Sequence, residues 1–154
     1  MERQKKPWSN HVLPKEFDVF CIGDMVRDES EGDLKIPGNL YVSGVLNVFN
    51  LIVDGTAIID DCNDAADIIV QGGSCICGGD VIANKVSVFN GSFISAGDVD
   101  TLDITIHNGD CIVHNSIDSY TINADGTLDC YDVNPNGHKV YAADYVCRYY
   151  EEKI

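Results

Sequence analysis

Six glycines in this sequence keep an almost constant beat. Gly38, Gly55, Gly73, Gly91, Gly109 and Gly126 are separated by 17, 18, 18, 18 and 17 positions. Self-similarity at such a period restricts a chain to repeat architectures, in which each unit buries its apolar side against the next. The segments beginning at Gly73, Gly91 and Gly109 read GSCICGGDVIANKVSVFN, GSFISAGDVDTLDITIHN and GDCIVHNSIDSYTINAD. Aligned, they stack Cys75 on Phe93 and Cys111, Ile76 on Ile94 and Ile112, and Val81 on Val99 and Ile117. Val86 falls on Ile104 and Ile122, and Val88 on Ile106 and Ala124. These columns stay apolar or small.

Within a unit the apolar residues recur two apart, as in Val86 and Val88 or Ile104 and Ile106, which is strand alternation. Strands this short cannot make a free sheet, so each must pair with its counterpart in the next unit. Their β-branched content favours strands over stacked helices. Turn chemistry falls in the same register: Asp54-Gly55, Asn90-Gly91, Asn108-Gly109 and Asp125-Gly126 at one corner, Gly79-Asp80 and Gly97-Asp98 at another. The sequence therefore predicts an all-β, single-stranded β-solenoid over residues 38–132, with coils of 17 to 18 residues. Five coils at ~4.8 Å each give a body about 24 Å long.

Terminal coils of a solenoid must be covered or left as templates for another chain. Residues 1–37 read as a basic tail and a cap, with Phe17 and Phe20 among the apolar residues available to cover one end. Residues 133–154 read as a second cap, following a turn cluster at Asn134, Pro135, Asn136 and Gly137. Tyr141, Tyr145 and Tyr149 recur four apart, which suits a short helix over the last coil, although an extended cap fits the same residues. These five aromatics are the candidates for capping or assembly.

The formal net charge is -15, and residues 38–138 hold fourteen aspartates against Lys85 alone. Such a field repels phosphate backbones and attracts basic surfaces, which argues against direct nucleic-acid binding. Asp80, Asp98, Asp100, Asp103 and Asp118 are the candidate binding surface. No run approaches the roughly 18 apolar residues of a membrane span, and no apolar stretch follows the basic N-terminus as a secretory signal requires. The seven cysteines are odd in number and spread through repeat positions, so they read as small core hydrophobes in a reducing, cytoplasmic setting.

Gly79-Asp80-Val81-Ile82-Ala83-Asn84-Lys85-Val86-Ser87-Val88, echoed by Gly97-Asp98-Val99 with Leu102, Ile104 and Ile106, resembles the repeat of the bactofilins. The resemblance covers about two thirds of the chain. It implies a right-handed triangular solenoid and nucleotide-independent, end-to-end assembly into filaments or scaffolds. The irregular second coil, Asp60-Asp61-Cys62-Asn63-Asp64, and the strong acidity depart from it.

Catalytic and metal readings fit less well. Val70, Ile76, Ile82, Val88 and Ile94 are six apart, as in hexapeptide acyltransferases, but the run breaks at Asp100. His107 and His114, the candidate bases for such chemistry, sit in a field that repels an anionic acyl carrier. Asp80 and Asp98, one coil apart, suit paired-carboxylate chemistry by spacing, yet Asp after Gly is ordinary turn chemistry. Cys75-x-Cys77 would face inward from a strand, and His11, His107, His114 and His138 form no ligand pattern. No cofactor or metal is expected. The leading expectation is a noncatalytic assembly protein whose partner is itself or another protein. The alternative is an acidic mimic of nucleic acid that inhibits a basic nucleic-acid-binding protein.

Overall fold

Inward apolar columns, repeated coil after coil, hold the molecule together. The computed structural model describes residues 16–134 and 139–147, which form about seven coils of parallel β-solenoid. Each coil has three faces. The first carries Val19–Cys21, Leu40–Val42, Ala57–Ile59, Cys75–Cys77, Phe93–Ser95 and Cys111–Val113, then the ends of Ser116–Cys130 and Lys139–Cys147. The second carries Met25–Arg27, Leu46–Val48, Asn63–Asp64 and Val81–Ile82, the starts of Val99–His107 and Ser116–Cys130, and Asp132–Asn134. The third carries Leu34–Ile36, Asn50–Val53, Asp67–Gln71 and Lys85–Phe89, then later parts of the same long strands. At ~4.8 Å per coil the rod is about 34 Å long.

Pairing is parallel and in the expected register. Cys75, Phe93 and Cys111 stack in one buried column, and Val81, Val99 and Ile117 in another. Val86, Ile104 and Ile122 form a third. Each fully buried Val, Leu or Ile side chain contributes about 1.5–3 kcal/mol, and the second coil uses such side chains at all its inward positions, Leu40, Val42, Leu46, Val48, Leu51 and Val53. Polar residues also take inward positions, at Ser95, Thr101, Ser119 and Asn63, and Asn63 lies between Leu46 and Val81 in the irregular coil. Its Nδ2 donates to Cys77 Sγ at 3.6 Å, while its Oδ1 has no partner among the described residues.

The coil stack starts earlier than Gly38. Residues 19–36 form a full coil, lengthened between its second and third faces by the 3-10 turn Glu29–Glu31. At the other end, Lys139–Cys147 is a strand along Ser116–Cys130, not a helix. Tyr141 belongs to its third-face part and Tyr145 to its first-face part, so four-residue spacing here steps around a corner. No helix among the described residues is long and apolar enough to cross a membrane.

The corners explain the glycines differently from the turn expectation. At Asn90-Gly91 and Asn108-Gly109 it is the asparagine that adopts positive φ, 63° and 59°. Gly109 is required for another reason: a Cβ there would collide with the Gly91 carbonyl oxygen one coil below. The residue after each of these glycines forms a ladder along the rod. Asn39 Oδ1 accepts from the Thr56 N–H at 2.8 Å, Thr56 Oγ1 from Ser74 at 3.3 Å and Ser74 Oγ from Ser92 at 3.0 Å. Ser92 Oγ accepts from the Asp110 N–H at 3.1 Å, and Asp110 Oδ1 from Thr127 at 2.7 Å.

Candidate assembly and binding surfaces

The five singled-out aspartates gather around the second face, in two distinct roles. Asp80 and Asp98 lie at the corner entering it. Asp80 Oδ1 accepts from the Asp98 N–H at 2.9 Å, and Asp98 Oδ1 from the Ser116 N–H at 3.1 Å. Each is bound to a backbone donor of the next coil, which is a structural duty. Asp100 and Asp118 stand instead in the outward column of the face, in register with Ile82 and Asp64. Asp103 lies beyond the far corner, in register with Lys85, and accepts from Thr105 Oγ1 at 3.3 Å.

Between that column and the far corner runs an open groove of about 380 Å³, lined by Asp64, Ile82, Asn84, Asp100, Thr101 and Leu102 among others. Ile82, Leu102 and the nearby Tyr120 are exposed. Acidic groups beside exposed apolar ones suit a basic, partly apolar surface.

The two ends differ. In the first coil Arg27 occupies an inward register position below Val48. Its guanidinium donates to the Glu31 carbonyl at 2.8 Å and the Gly32 carbonyl at 3.3 Å, across the mouth of the coil. An inward charge and a bulging turn are devices that blunt an edge against pairing. Phe17 and Phe20 do not cover this end. Phe20 points outward from the first face and stacks on Tyr41 at 4.8 Å, with Phe17 beside them at 6.2 and 5.6 Å. Tyr41 also donates to Asp60, which pushes its pKa up because ionisation would lose that bond beside a carboxylate.

At the C-terminal end, Lys139–Cys147 runs along two faces and pairs on one edge only among the described residues. Val140, Ala142 and Cys147 pack against the core from above but remain partly exposed, and Tyr141 and Tyr145 are exposed. Tyr149 lies outside the described residues.

The residues considered for chemistry separate in space. Val70 and Val88 point inward, whereas Ile76 and Ile94 point outward from the first face and Ile82 from the second, so the six-residue recurrence shares no common side. His107 is exposed, with Nδ1 3.2 Å from Asp125 Oδ2. Cys75 and Cys77 are buried free thiols, their sulfurs hydrogen-bonded at 4.0 Å. The hydrogen bond to Cys77, reinforced by burial, raises the Cys75 pKa well above the usual thiol range, and burial does the same at Cys111. The described residues hold no cluster of three or more metal-ligating side chains; His11 and His138 lie outside them.

The corner ladder was missed as a functional class of residue in the sequence, although its signal is there. A short polar residue follows Gly38, Gly55, Gly73, Gly91, Gly109 and Gly126 without exception.

The fold places the chain among the β-solenoid proteins. No family model matches it, and no curated protein or solved structure does so either.

Proposed function

We propose that this chain is a noncatalytic structural protein that self-associates through the C-terminal end of its solenoid, an assembly habit like that implied by its resemblance to the bactofilins. The observation that carries the reading is the strand Lys139–Cys147, which continues the register of the coils and has its strand pairing on one side, with Ser116–Cys130. A terminal strand of this kind is a template for a further strand. Because Arg27 and the turn at Glu29–Glu31 blunt the opposite end, the favoured contact joins two C-terminal ends. A contact of a surface with its own copy closes as a two-fold dimer, in which the two edge strands run antiparallel.

Light scattering during size-exclusion chromatography tests this. The full chain should shift from monomer to dimer with concentration, and Tyr145→Glu should hold it monomeric by placing like charges at the contact. A chain that stays monomeric at every concentration, or a Tyr145→Glu variant that dimerises as before, refutes the reading.

The second reading, a mimic of nucleic acid that occupies a basic protein, is favoured by the outward column of Asp64, Asp100 and Asp118 beside exposed Ile82 and Leu102. It requires capture of a basic nucleic-acid-binding protein that weakens steeply with salt, since exposed charges are screened over about 8 Å at physiological ionic strength. Replacing Asp64, Asp100 and Asp118 together by Asn should abolish that capture. Capture that persists in high salt or in the triple variant refutes this second reading.

A further inference from the structure

The corner between the second and third faces changes size along the rod. Coil by coil its column reads Phe49, Ala66, Asn84, Leu102 and Tyr120, a register fixed by the strand pairs on either side of it. Large side chains occupy the column in the second, fifth and sixth coils, and a methyl group and a short amide in the third and fourth. The groove of about 380 Å³ lies at this dip, with Ala65, Ala83 and Thr101 nearly buried in its lining. The coils are not splayed there. The Ala66 N–H donates to the Phe49 carbonyl at 2.7 Å, and the Ala66 carbonyl accepts from the Asn84 N–H at 2.7 Å. The space comes from side chains that are small, between coils that stay closed.

Two carboxylates stand along the groove. Asp64 and Asp100 are exposed on either side of Ile82, two coils or about 9.6 Å apart at ~4.8 Å per coil. Asp80 and Asp98 hold backbone donors of the next coil, whereas these two face outward. Lys85, the one base of residues 38–138, is in register with Asp67 and Asp103 instead. Apolar surface accompanies the charge, since Ile82 is 52% and Leu102 62% exposed. A complementary ligand carries positive groups about 9.6 Å apart on one side, with apolar matter between them.

Width and spacing select the backbone of that ligand. Spread over three coils, about 14 Å at ~4.8 Å each, the volume of about 380 Å³ gives a section roughly 5 Å across. That suits an extended chain and not a helix 10–12 Å in diameter. A β-strand repeats one side every two residues, about 6.8 Å, and misses the spacing. Polyproline II has three residues per turn at ~3.1 Å each, so residues three apart lie on one side about 9.3 Å apart. We propose that the groove binds a basic polyproline II segment of a partner protein, two lysines or arginines three residues apart reaching Asp64 and Asp100 while the prolines between them lie over Ile82 and Leu102. This site is independent of the C-terminal contact, and it takes an extended peptide where the mimic reading requires a nucleic-acid-binding surface.

Titration of the isotope-labelled full chain with the blocked peptide Lys-Pro-Pro-Lys, followed by NMR, tests the site. Amide shifts should saturate and centre on residues 64–66, 82–84 and 100–102. Lys-Pro-Lys-Pro, of the same composition and charge, should bind about two- to fivefold more weakly, because it reaches one carboxylate at a time. Asp64→Asn and Asp100→Asn should each weaken binding of the first peptide by about the same factor. Asp54→Asn, which removes one charge at a different corner, should leave it unchanged. Ala66→Phe puts into the third coil the ring that Phe49 supplies in the second, and it should abolish the saturable shifts. Shifts scattered over the acidic surface, equal affinity for the two spacings, or an Ala66→Phe variant that binds as before would overturn the proposal. If Ala66→Phe does not fold, the asparagine variants carry the test, and binding indifferent to both overturns it. Mass from light scattering reports the C-terminal contact separately. Capture of a basic nucleic-acid-binding protein by a chain whose groove ignores the peptide overturns this proposal and leaves the mimic reading standing.

Discussion

Replacing Ile104 by Ala tests the solenoid where it is most constrained. Ile104 is fully buried, with Val86 directly below it and Ile122 directly above. The substitution removes three carbons, about 2.4 kcal/mol at ~0.8 kcal/mol each. A cavity term adds to this, because ladder hydrogen bonds fix the coil spacing and the neighbouring coils cannot close the gap. The total should approach 3–4 kcal/mol, within the ~2–5 kcal/mol range for such truncations. With a urea slope of about 2 kcal/mol per molar, the midpoint should fall by roughly 1.5–2 M. Leu102, two residues earlier in the same strand, is exposed, so Leu102→Ala should change stability by no more than about 0.5 kcal/mol. Lys85→Ala, also exposed, should be as mild. Coils contact only their neighbours, so a weak central coil should also uncouple the two halves and lower the apparent slope. Equal midpoint shifts for Ile104→Ala and Leu102→Ala would refute the assignment of inner and outer columns.

Asn63→Val should stabilise the protein by about 1–2 kcal/mol, because it removes a buried oxygen without a partner among the described residues; a lower urea midpoint would contradict this. Thermal melts with and without reductant should coincide, since the cysteines among the described residues are free, and a large loss on reduction would count against the thiol columns. Cys75 and Cys111 are held protonated in the fold, their pKa values raised. Their contribution is therefore complete below the free-thiol range and drains away as pH rises above it. Urea midpoints should decline in alkali, and less so in a Cys75→Ala, Cys111→Val variant; identical pH profiles would refute that origin. Asp98→Ala should cost about 1 kcal/mol by freeing the Ser116 N–H, whereas Asp100→Ala should be near neutral, and a reversed order in denaturant titration would refute their assigned roles.

The interior columns were legible because parallel coils convert sequence period directly into register: Cys75, Phe93 and Cys111 are neighbours in space for the same reason that they align on paper. The first coil was not legible, because the spacing changes within it. Val19 and Met25 pair 21 residues ahead, with Leu40 and Leu46, while Leu34 pairs 17 ahead with Leu51. The turn at Glu29–Glu31 absorbs the difference. The last strand was ambiguous because Tyr141 and Tyr145 lie on different faces, a corner imitating a helical step. The five aspartates were visible as charge, but strand alternation and corner hydrogen bonds decide which carry structure and which face outward. The outward isoleucines of the first face read simply as apolar, since a buried outward column has the same composition as one facing the core.

The corner ladder has a direction. In every rung from Asn39 to Asp110 the earlier coil supplies the side-chain acceptor and the later coil the backbone donor. A coil leaving the ribosome therefore already displays the acceptor its successor must find, only 17 or 18 residues behind. Each closure spans the same short loop however long the rod becomes, so the search does not lengthen as synthesis proceeds. The molecule can be wound from its N-terminus in the order in which it is made, each finished turn setting the register of the next.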